Sequence, residues 1–267
     1  MNCEIIAVGT ELLLGQIVDT NSSWMGEQLA LAGIDSHHQT KVGDNWSRIE
    51  EALRLGLERS DAIIVCGGLG PTQDDITRDV IASVVNSELV FDEAIADRIR
   101  DMFRSRGRDM PENNLRQAMV PEGAHTIEQQ PGTAPGLVVP VAVSGGDDKV
   151  IYAVPGVPYE MKEMVLGTIL PDLQHRSGVT SVIESRVLRT WGQSESGLAE
   201  LLGPRIAELE TAGNPTLAFL ASGVEGIKVR ITAKAETSNE VEDILREEEE
   251  ALRHLLGDLV FAVDEDN

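Results

Sequence analysis

Short apolar runs alternate with longer amphipathic stretches through the first two thirds of the chain. Glu4–Val8 is one such run, ending at Gly9; Ala62–Cys66 is another, leading into Gly67-Gly68-Leu69-Gly70-Pro71. Continuous apolar runs of this length predict strands covered on both faces. His37–Val42 reads as a further strand. Ser22–Ala32 carries Trp24, Met25 and Leu29 at helical spacing, with Asn21 placed as its N-cap, and stops at Gly33. Asn45–Glu58 sets Ile49, Leu53 and Leu57 on one face. Asp75–Val85 and Asp92–Arg106 predict two more helices. Leu137–Val143 and Val150–Val154 predict strands joined by the turn Ser144-Gly145-Gly146-Asp147-Asp148. Pro158–His175 predicts a helix that bends or breaks near Pro171. Strands spaced by helices of about 10–15 residues imply βαβ units and a mostly parallel sheet, an α/β fold.

The pattern changes near Arg176-Ser177-Gly178. A strand (Ser185–Trp191), a helix (Ser194–Leu209), two strands (Thr216–Ala221 and Ile227–Ala235) and a charged helix (Asn239–Leu256) follow, a βαββα unit of small α+β type. The expected division is therefore 1–176 and 177–267. Within the last helix, Glu247–Glu250 reads as a solvated face.

Composition narrows the function classes. Hydrophobic residues make up 42% of the 267, enough for packed cores, so the chain is not a disordered one. The net charge of −23 argues against nucleic-acid binding by phosphate neutralisation and against docking on anionic membranes. It leaves open small phosphorylated ligands held by backbone N–H groups and a metal ion. Aromatic residues, at 3%, are too sparse for a base-stacking surface. Cys3 and Cys66 lie inside strand-like runs and make no disulfide framework. With no basic-then-apolar N-terminal segment and no apolar run near the ~20 residues that span a bilayer, a cytoplasmic location is the expectation. His37 and His38, adjacent on one predicted strand, point to opposite faces and cannot pair on a metal.

In an open parallel sheet, ligands bind beyond the carboxyl ends of the strands. Those ends carry Gly9-Thr10-Glu11, Gly43-Asp44-Asn45, Gly67 to Asp75, and Pro155-Gly156-Val157-Pro158-Tyr159-Glu160. The Gly67–Asp75 segment is suited to phosphate, since glycines admit close backbone approach and a following helix offers free N–H groups. Its alternative is a tight strand-to-helix turn capped by Asp74 or Asp75. It is neither a Walker loop nor a Rossmann Gly-x-Gly-x-x-Gly. Carboxylates beside a bound phosphate require an intervening cation, so Asp75, with Asp74 and Glu11, is expected to hold Mg²⁺ or another divalent ion such as Co²⁺ or Mn²⁺. Asp44 is either a second catalytic carboxylate or the N-cap of Asn45–Glu58; Glu11 is either metal-facing or a solvated loop residue. Pro131-Gly132-Thr133-Ala134-Pro135-Gly136 is either a turn before a strand or a source of N–H groups and a hydroxyl for the ligand.

Several of these segments together resemble the CinA (competence/damage-inducible protein A) family. They are the run from Glu4 through Gly9-Thr10-Glu11-Leu12-Leu13-Leu14-Gly15 to Asp19-Thr20-Asn21, Val42-Gly43-Asp44-Asn45, Gly67 to Thr77, Gly132-Thr133-Ala134-Pro135-Gly136 and Pro155-Gly156-Val157-Pro158-Tyr159-Glu160-Met161. The resemblance implies a three-layer α/β/α domain of the molybdopterin-binding MoaB/Mog type that forms homo-oligomers (dimers or trimers), followed by a KH-like domain. It implies metal-dependent pyrophosphatase activity on ADP-ribose or a related nucleotide diphosphate. Asp44 and Asp75 match the two functionally important aspartates of Mog-like proteins. Leu69 stands where those relatives have Thr, which favours the CinA branch over molybdopterin binding or adenylyl transfer. A non-catalytic nucleotide-binding module is the third alternative. Many CinA proteins continue into a domain that deamidates nicotinamide mononucleotide; the sequence reaches Asn267 just past the KH-like unit, and deamidase activity is not carried over. Gly223-Val224-Glu225-Gly226 spells the GxxG of RNA-binding KH loops, but it joins two predicted strands and carries a repelling Glu225, so it reads as a hairpin turn. The residues expected to line the ligand are Gly9, Thr10, Glu11, Asn21, Gly67, Gly68, Gly70, Thr72, Gly132, Thr133, Gly156, Pro158 and Glu160.

Overall fold

The computed structural model describes all residues except 130, 144–147, 179–181, 222–225 and 265–267. Met1–Ala30 and Ile34–Gly178 form one unit, and the described residues after Gly178 belong to a second. No helix among the described residues is long and apolar enough to cross a membrane.

In chain order the first unit comprises β1 (Cys3–Val8), α1 (Thr10–Leu13), α2 (Thr20–Leu31), β2 (Gln39–Val42), α3 (Trp46–Arg59), β3 (Ala62–Cys66), α4 (Thr77–Val84), β4 (Leu89–Phe91) and α5 (Glu93–Ser105). A 3-10 helix (Glu112–Ala118) then leads to β5 (Met119–Pro121), β6 (His125–Thr126), β7 (Leu137–Val141), β8 (Lys149–Val154), α6 (Pro158–Met164), a π-helical stretch (Val165–Ile169) and α7 (Leu170–Ser177). The main sheet runs β2-β1-β3-β8-β7-β6. Its first four strands are parallel, and β7 and β6 add antiparallel pairs at one edge. β4 and β5 form a separate two-stranded ribbon.

The unbroken apolar strands are explained by layers on both faces. Ile6, Val8, Ile63, Val65, Ile151 and Ala153 pack with Ile49 and Leu53 of α3, Val80 and Ile81 of α4, and Ile95 and Ile99 of α5. Their neighbours along each strand point the other way, towards α2, α6 and α7. Tyr152 of β8 donates to Asp172 of α7 at 2.6 Å, and Lys162 of α6 lies over the Trp24 ring of α2. The result is the three-layer α/β/α arrangement. Glu4, the one charge inside β1, is fully buried; Arg59 binds it through two nitrogens at 2.8 and 2.6 Å, and Thr40 donates at 2.7 Å. Burial pushes its pKa up, but the hydrogen bonds from Arg59 and Thr40 and the Arg59 charge outweigh this and hold it below the usual value.

Several local expectations are corrected. Asn21 is not a cap: α2 begins at Thr20, and Asp19 accepts from the Ser22 N–H at 2.9 Å. Neither Asp74 nor Asp75 caps α4, which begins at Thr77 after Ile76 with no side-chain cap. Asp44 does not cap α3; Asn45 does, accepting from the Arg48 N–H at 3.3 Å. β2 begins at Gln39, so His37 and His38 precede the strand. The disturbance in the helix after Pro158 falls one turn before Pro171, in the π-helical stretch. Proline lacks the N–H that would bond the carbonyl four residues back, and a wider turn there absorbs the loss.

The second unit comprises β9 (Val182–Thr190), α8 (Glu195–Ala212), β10 (Thr216–Ala221), β11 (Ile227–Ala235), α9 (Ser238–Leu256) and β12 (Val260–Val263). Its antiparallel sheet runs β10-β11-β9-β12, and Leu188, Val229 and Ile231 pack with Leu198, Leu202, Val241, Leu245 and Leu252. The expected βαββα unit thus gains an edge strand. Glu247–Glu250 is not wholly a solvated face: Glu248 is only 2% exposed and accepts from Arg205 at 3.1 and 2.6 Å. Most of the GxxG segment lies outside the described residues, and so does most of the turn at 144–148; β10 and β11 pair antiparallel with Ala221 opposite Ile227.

Candidate functional site

The residues that follow β1 and β3 each donate a backbone bond to the last residue of a neighbouring parallel strand, which brings these strand tips together. The Gly9 N–H donates to the Val42 carbonyl at 2.9 Å, and the Gly67 N–H to the Val154 carbonyl at 3.0 Å. Beyond these tips opens a cleft of about 460 Å³ lined by Gly9, Gly67, Gly68, Leu69, Gly70 and Gly156, among others. Gly67 has a φ of 109°, and a Cβ there would lie 2.2 Å from the Val8 carbonyl oxygen, so only glycine fits. The Leu69 side chain belongs to the core and anchors the loop from below.

Five carboxylates line this cleft: Glu11, Asp44, Asp74, Asp75 and Glu160. Asp44 Oδ2 accepts from the Thr10 N–H and hydroxyl, both at 2.8 Å, and the Asp44 N–H returns to the Thr10 hydroxyl at 3.2 Å. Asp75 Oδ2 accepts from the Thr72 N–H at 2.8 Å and from the Thr72 hydroxyl. Glu160 is buried and accepts from the Tyr159 hydroxyl at 3.0 Å. Gly132 makes room for it, since a Cβ there would lie 2.3 Å from the Glu160 carboxylate. Thus Thr10, Thr72 and Gly132 are not on the cleft wall; each sets the position of a carboxylate that is. Thr133 lies on the wall itself, and Asn21 and Pro158 line an adjoining cavity of about 180 Å³ that shares Val8, Glu11 and Gly156 with the cleft. The Asn21 amide donates to the Gly156 carbonyl at 2.8 Å and steadies the loop between the two spaces. Cys66 also borders the smaller cavity, but burial pushes its thiol up to about 12, so it stays protonated at neutral pH and is no nucleophile.

Three residues of this region escaped the sequence reading. Arg78 is fully buried beneath the glycine loop; Nη2 donates to the Leu69 carbonyl at 3.0 Å, while Nε and Nη1 have no hydrogen-bond partner among the described residues. Burial lowers its pKa to about 10, a value that keeps it charged at neutral pH. Arg116, in the 3-10 helix, donates to the Thr72 carbonyl and to Asp79, both at 2.9 Å, tying that helix to the loop that carries Asp75. Gln117, next to it, is buried and lines the cleft. The available signal was Arg78 on the same helical stripe as Ile81, where a cation must be buried; the stretch holding Arg116 and Gln117 has no periodicity to read.

Among the described residues, no three His, Cys, Asp or Glu side chains gather as a metal cage. Glu11, Asp74 and Asp75, expected together as ligands, enter from separate positions: Glu11 folds against Gly9, Asp75 over Gly70, and Asp74 stands exposed. What they offer is a set of hard oxygen donors around one space, the kind that binds Mg²⁺ through one or two carboxylates and leaves the remaining positions to phosphate and water.

Residues 4–175 match the family described as "Probable molybdopterin binding domain", and residues 185–262 match the "Damage-inducible protein CinA KH domain". A CinA-like protein of Frankia casuarinae is 42% identical over 272 aligned positions covering 100% of this chain and 61% of its own length. One of Dictyoglomus thermophilum is 40% identical over 265, covering 99% of this chain and 62% of its own. The chain therefore spans about three fifths of the length of these relatives. The crystal structure of CinA from Thermoplasma acidophilum, of unknown function, superposes with a TM-score of 0.56 at 35% identity, over 63% of this chain and 95% of that one. Sequence, domain order and fold agree: the chain belongs to the CinA family, with a molybdopterin-binding-type α/β domain followed by a CinA KH domain.

Proposed function

We propose that the cleft hydrolyses the phosphoanhydride of ADP-ribose or a related nucleotide diphosphate with the help of a divalent cation. One observation carries this reading: Asp44 and Asp75, from different strand tips, line the same glycine-floored cleft. Backbone N–H groups of Gly68, Leu69 and Gly70, and of Gly156 and Val157, would take the diphosphate. Asp75, with Asp44 or Glu11, would hold Mg²⁺, Co²⁺ or Mn²⁺ directly or through water; bound there, the cation polarises the phosphoryl group and acidifies an attacking water. Thr10 and Thr72 each occupy one oxygen of an aspartate, so Asp44 and Asp75 each present Oδ1 in a fixed direction. The free oxygen of Asp44 is the candidate general base when it is not a ligand.

The test is turnover of ADP-ribose, FAD and NAD with and without Mg²⁺ or Co²⁺. Asp75→Asn is expected to lower turnover by about 100-fold or more with an unchanged circular dichroism spectrum. Wild-type turnover in that variant overturns the assignment. The match of residues 4–175 to a molybdopterin-binding family favours a second reading, in which the cleft binds molybdopterin or transfers an adenylyl group to it. Molybdopterin retained on purification, with no hydrolysis of ADP-ribose, would decide for that reading.

A further inference from the structure

Gln117 is a buried polar side chain in the wall of the cleft. It is 1% exposed, and its Oε1 has no hydrogen-bond partner among the described residues. The segment that carries it is held firmly. Arg116 ties it to the Thr72 carbonyl and to Asp79, and the Ala118 carbonyl accepts from the Asp92 N–H at 2.8 Å. Gln117 is therefore presented on a fixed backbone. An amide oxygen removed from water without a partner destabilises the fold, and a methionine or leucine would fill the same space without that penalty. Besides apolar side chains, the cleft otherwise shows a ligand five carboxylates, Thr133 and a floor of glycine backbone. Gln117 adds a neutral acceptor to this set, and a phosphate oxygen cannot satisfy it.

We infer that Gln117 is a specificity-determining residue whose Oε1 accepts a hydrogen bond from a neutral N–H or O–H donor on the non-phosphate part of the cleft's ligand. In a nucleotide diphosphate such donors are an exocyclic amine of the base or a ribose hydroxyl. The inference rests on the reading of the cleft as a nucleotide-diphosphate site and adds to it how the site distinguishes a nucleotide from a bare diphosphate.

The test compares the full-length wild type with Gln117→Met, which keeps length and volume and removes the acceptor. Two probes are used in the presence of Mg²⁺: ADP-ribose, and inorganic pyrophosphate as its competitor. The expected result is a loss of ADP-ribose affinity of about tenfold with pyrophosphate inhibition unchanged and a thermal midpoint equal to or above that of the wild type. The analogue with hypoxanthine in place of adenine and the one lacking the 2′-hydroxyl then separate the two donors: the analogue that lacks the donor Gln117 recognises binds wild type and Gln117→Met equally. Unchanged ADP-ribose affinity in Gln117→Met overturns the inference, and so does a parallel loss for both probes, which marks a structural disturbance. If the wild type binds neither probe, the functional reading itself fails and the inference with it. If the wild type binds both and the variant does not differ, only the inference fails.

Discussion

At the scale of single residues, the unusual feature is a cation where none is expected. The cleft is lined by carboxylates, yet Arg78 lies buried directly beneath its glycine loop with two nitrogens unpaired among the described residues. Its Nη2 donates to the Leu69 carbonyl, and its charge offsets part of the negative field above. Replacing Arg78 with an apolar chain removes the cost of burying its charge but deprives the Leu69 carbonyl of its donor, two effects of opposite sign. Arg78→Met is therefore expected to stay folded, with a thermal midpoint within a few degrees of wild type. Pyrophosphate binding is expected to weaken by about tenfold at low salt, an effect of charge that should shrink as salt is added. Calorimetric titration at two ionic strengths checks both statements.

At the scale of elements, Asp44 and Asn45 divide two tasks between adjacent positions. Asn45 terminates α3 by accepting from Arg48, which frees Asp44 to turn towards Thr10 and the cleft. The two variants should separate cleanly. Asn45→Ala is expected to cost about 1 kcal/mol in urea denaturation and to leave turnover intact. Asp44→Asn is expected to do the reverse, with little change in the urea midpoint and a large fall in turnover. This division was only half legible in the sequence. The Gly-Asp-Asn order marks a strand-to-helix turn, but either acidic or amide side chain can cap, and the choice depends on which one the Thr10 loop captures. The same holds for Asp74 and Asp75, where Thr72 withdraws Asp75 from any capping role. The helices themselves were legible because burial of one face imposes a 3.6-residue period that local residues display. β4, β5, β6 and β12 were not, since strands of two to four residues carry too few alternations to stand out.

At the scale of the whole molecule, the net charge of −23 sets a self-repulsion that no individual ion pair removes. Its Coulomb energy is screened by salt, while buried pairs such as Arg59–Glu4 are screened much less. The thermal midpoint is therefore expected to rise by several degrees between low salt and about 0.5 M NaCl, followed by differential scanning fluorimetry. A falling midpoint would mean that attractive surface pairs dominate instead.

The apolar runs and helical periods of the sequence by themselves determined the α/β class, the parallel centre of the sheet and the following α+β unit, because burial on one or two faces writes its period directly into neighbouring residues. The strand-tip rule likewise pointed to the loops that bear Asp44 and Asp75. Only the tertiary structure decided which side chains line the cleft, which ones hold those in place, and that Arg78 and Gln117 belong to the region at all. Contacts between loops far apart in the chain depend on distances of a few ångströms set by packing, and no local pattern of residues encodes them.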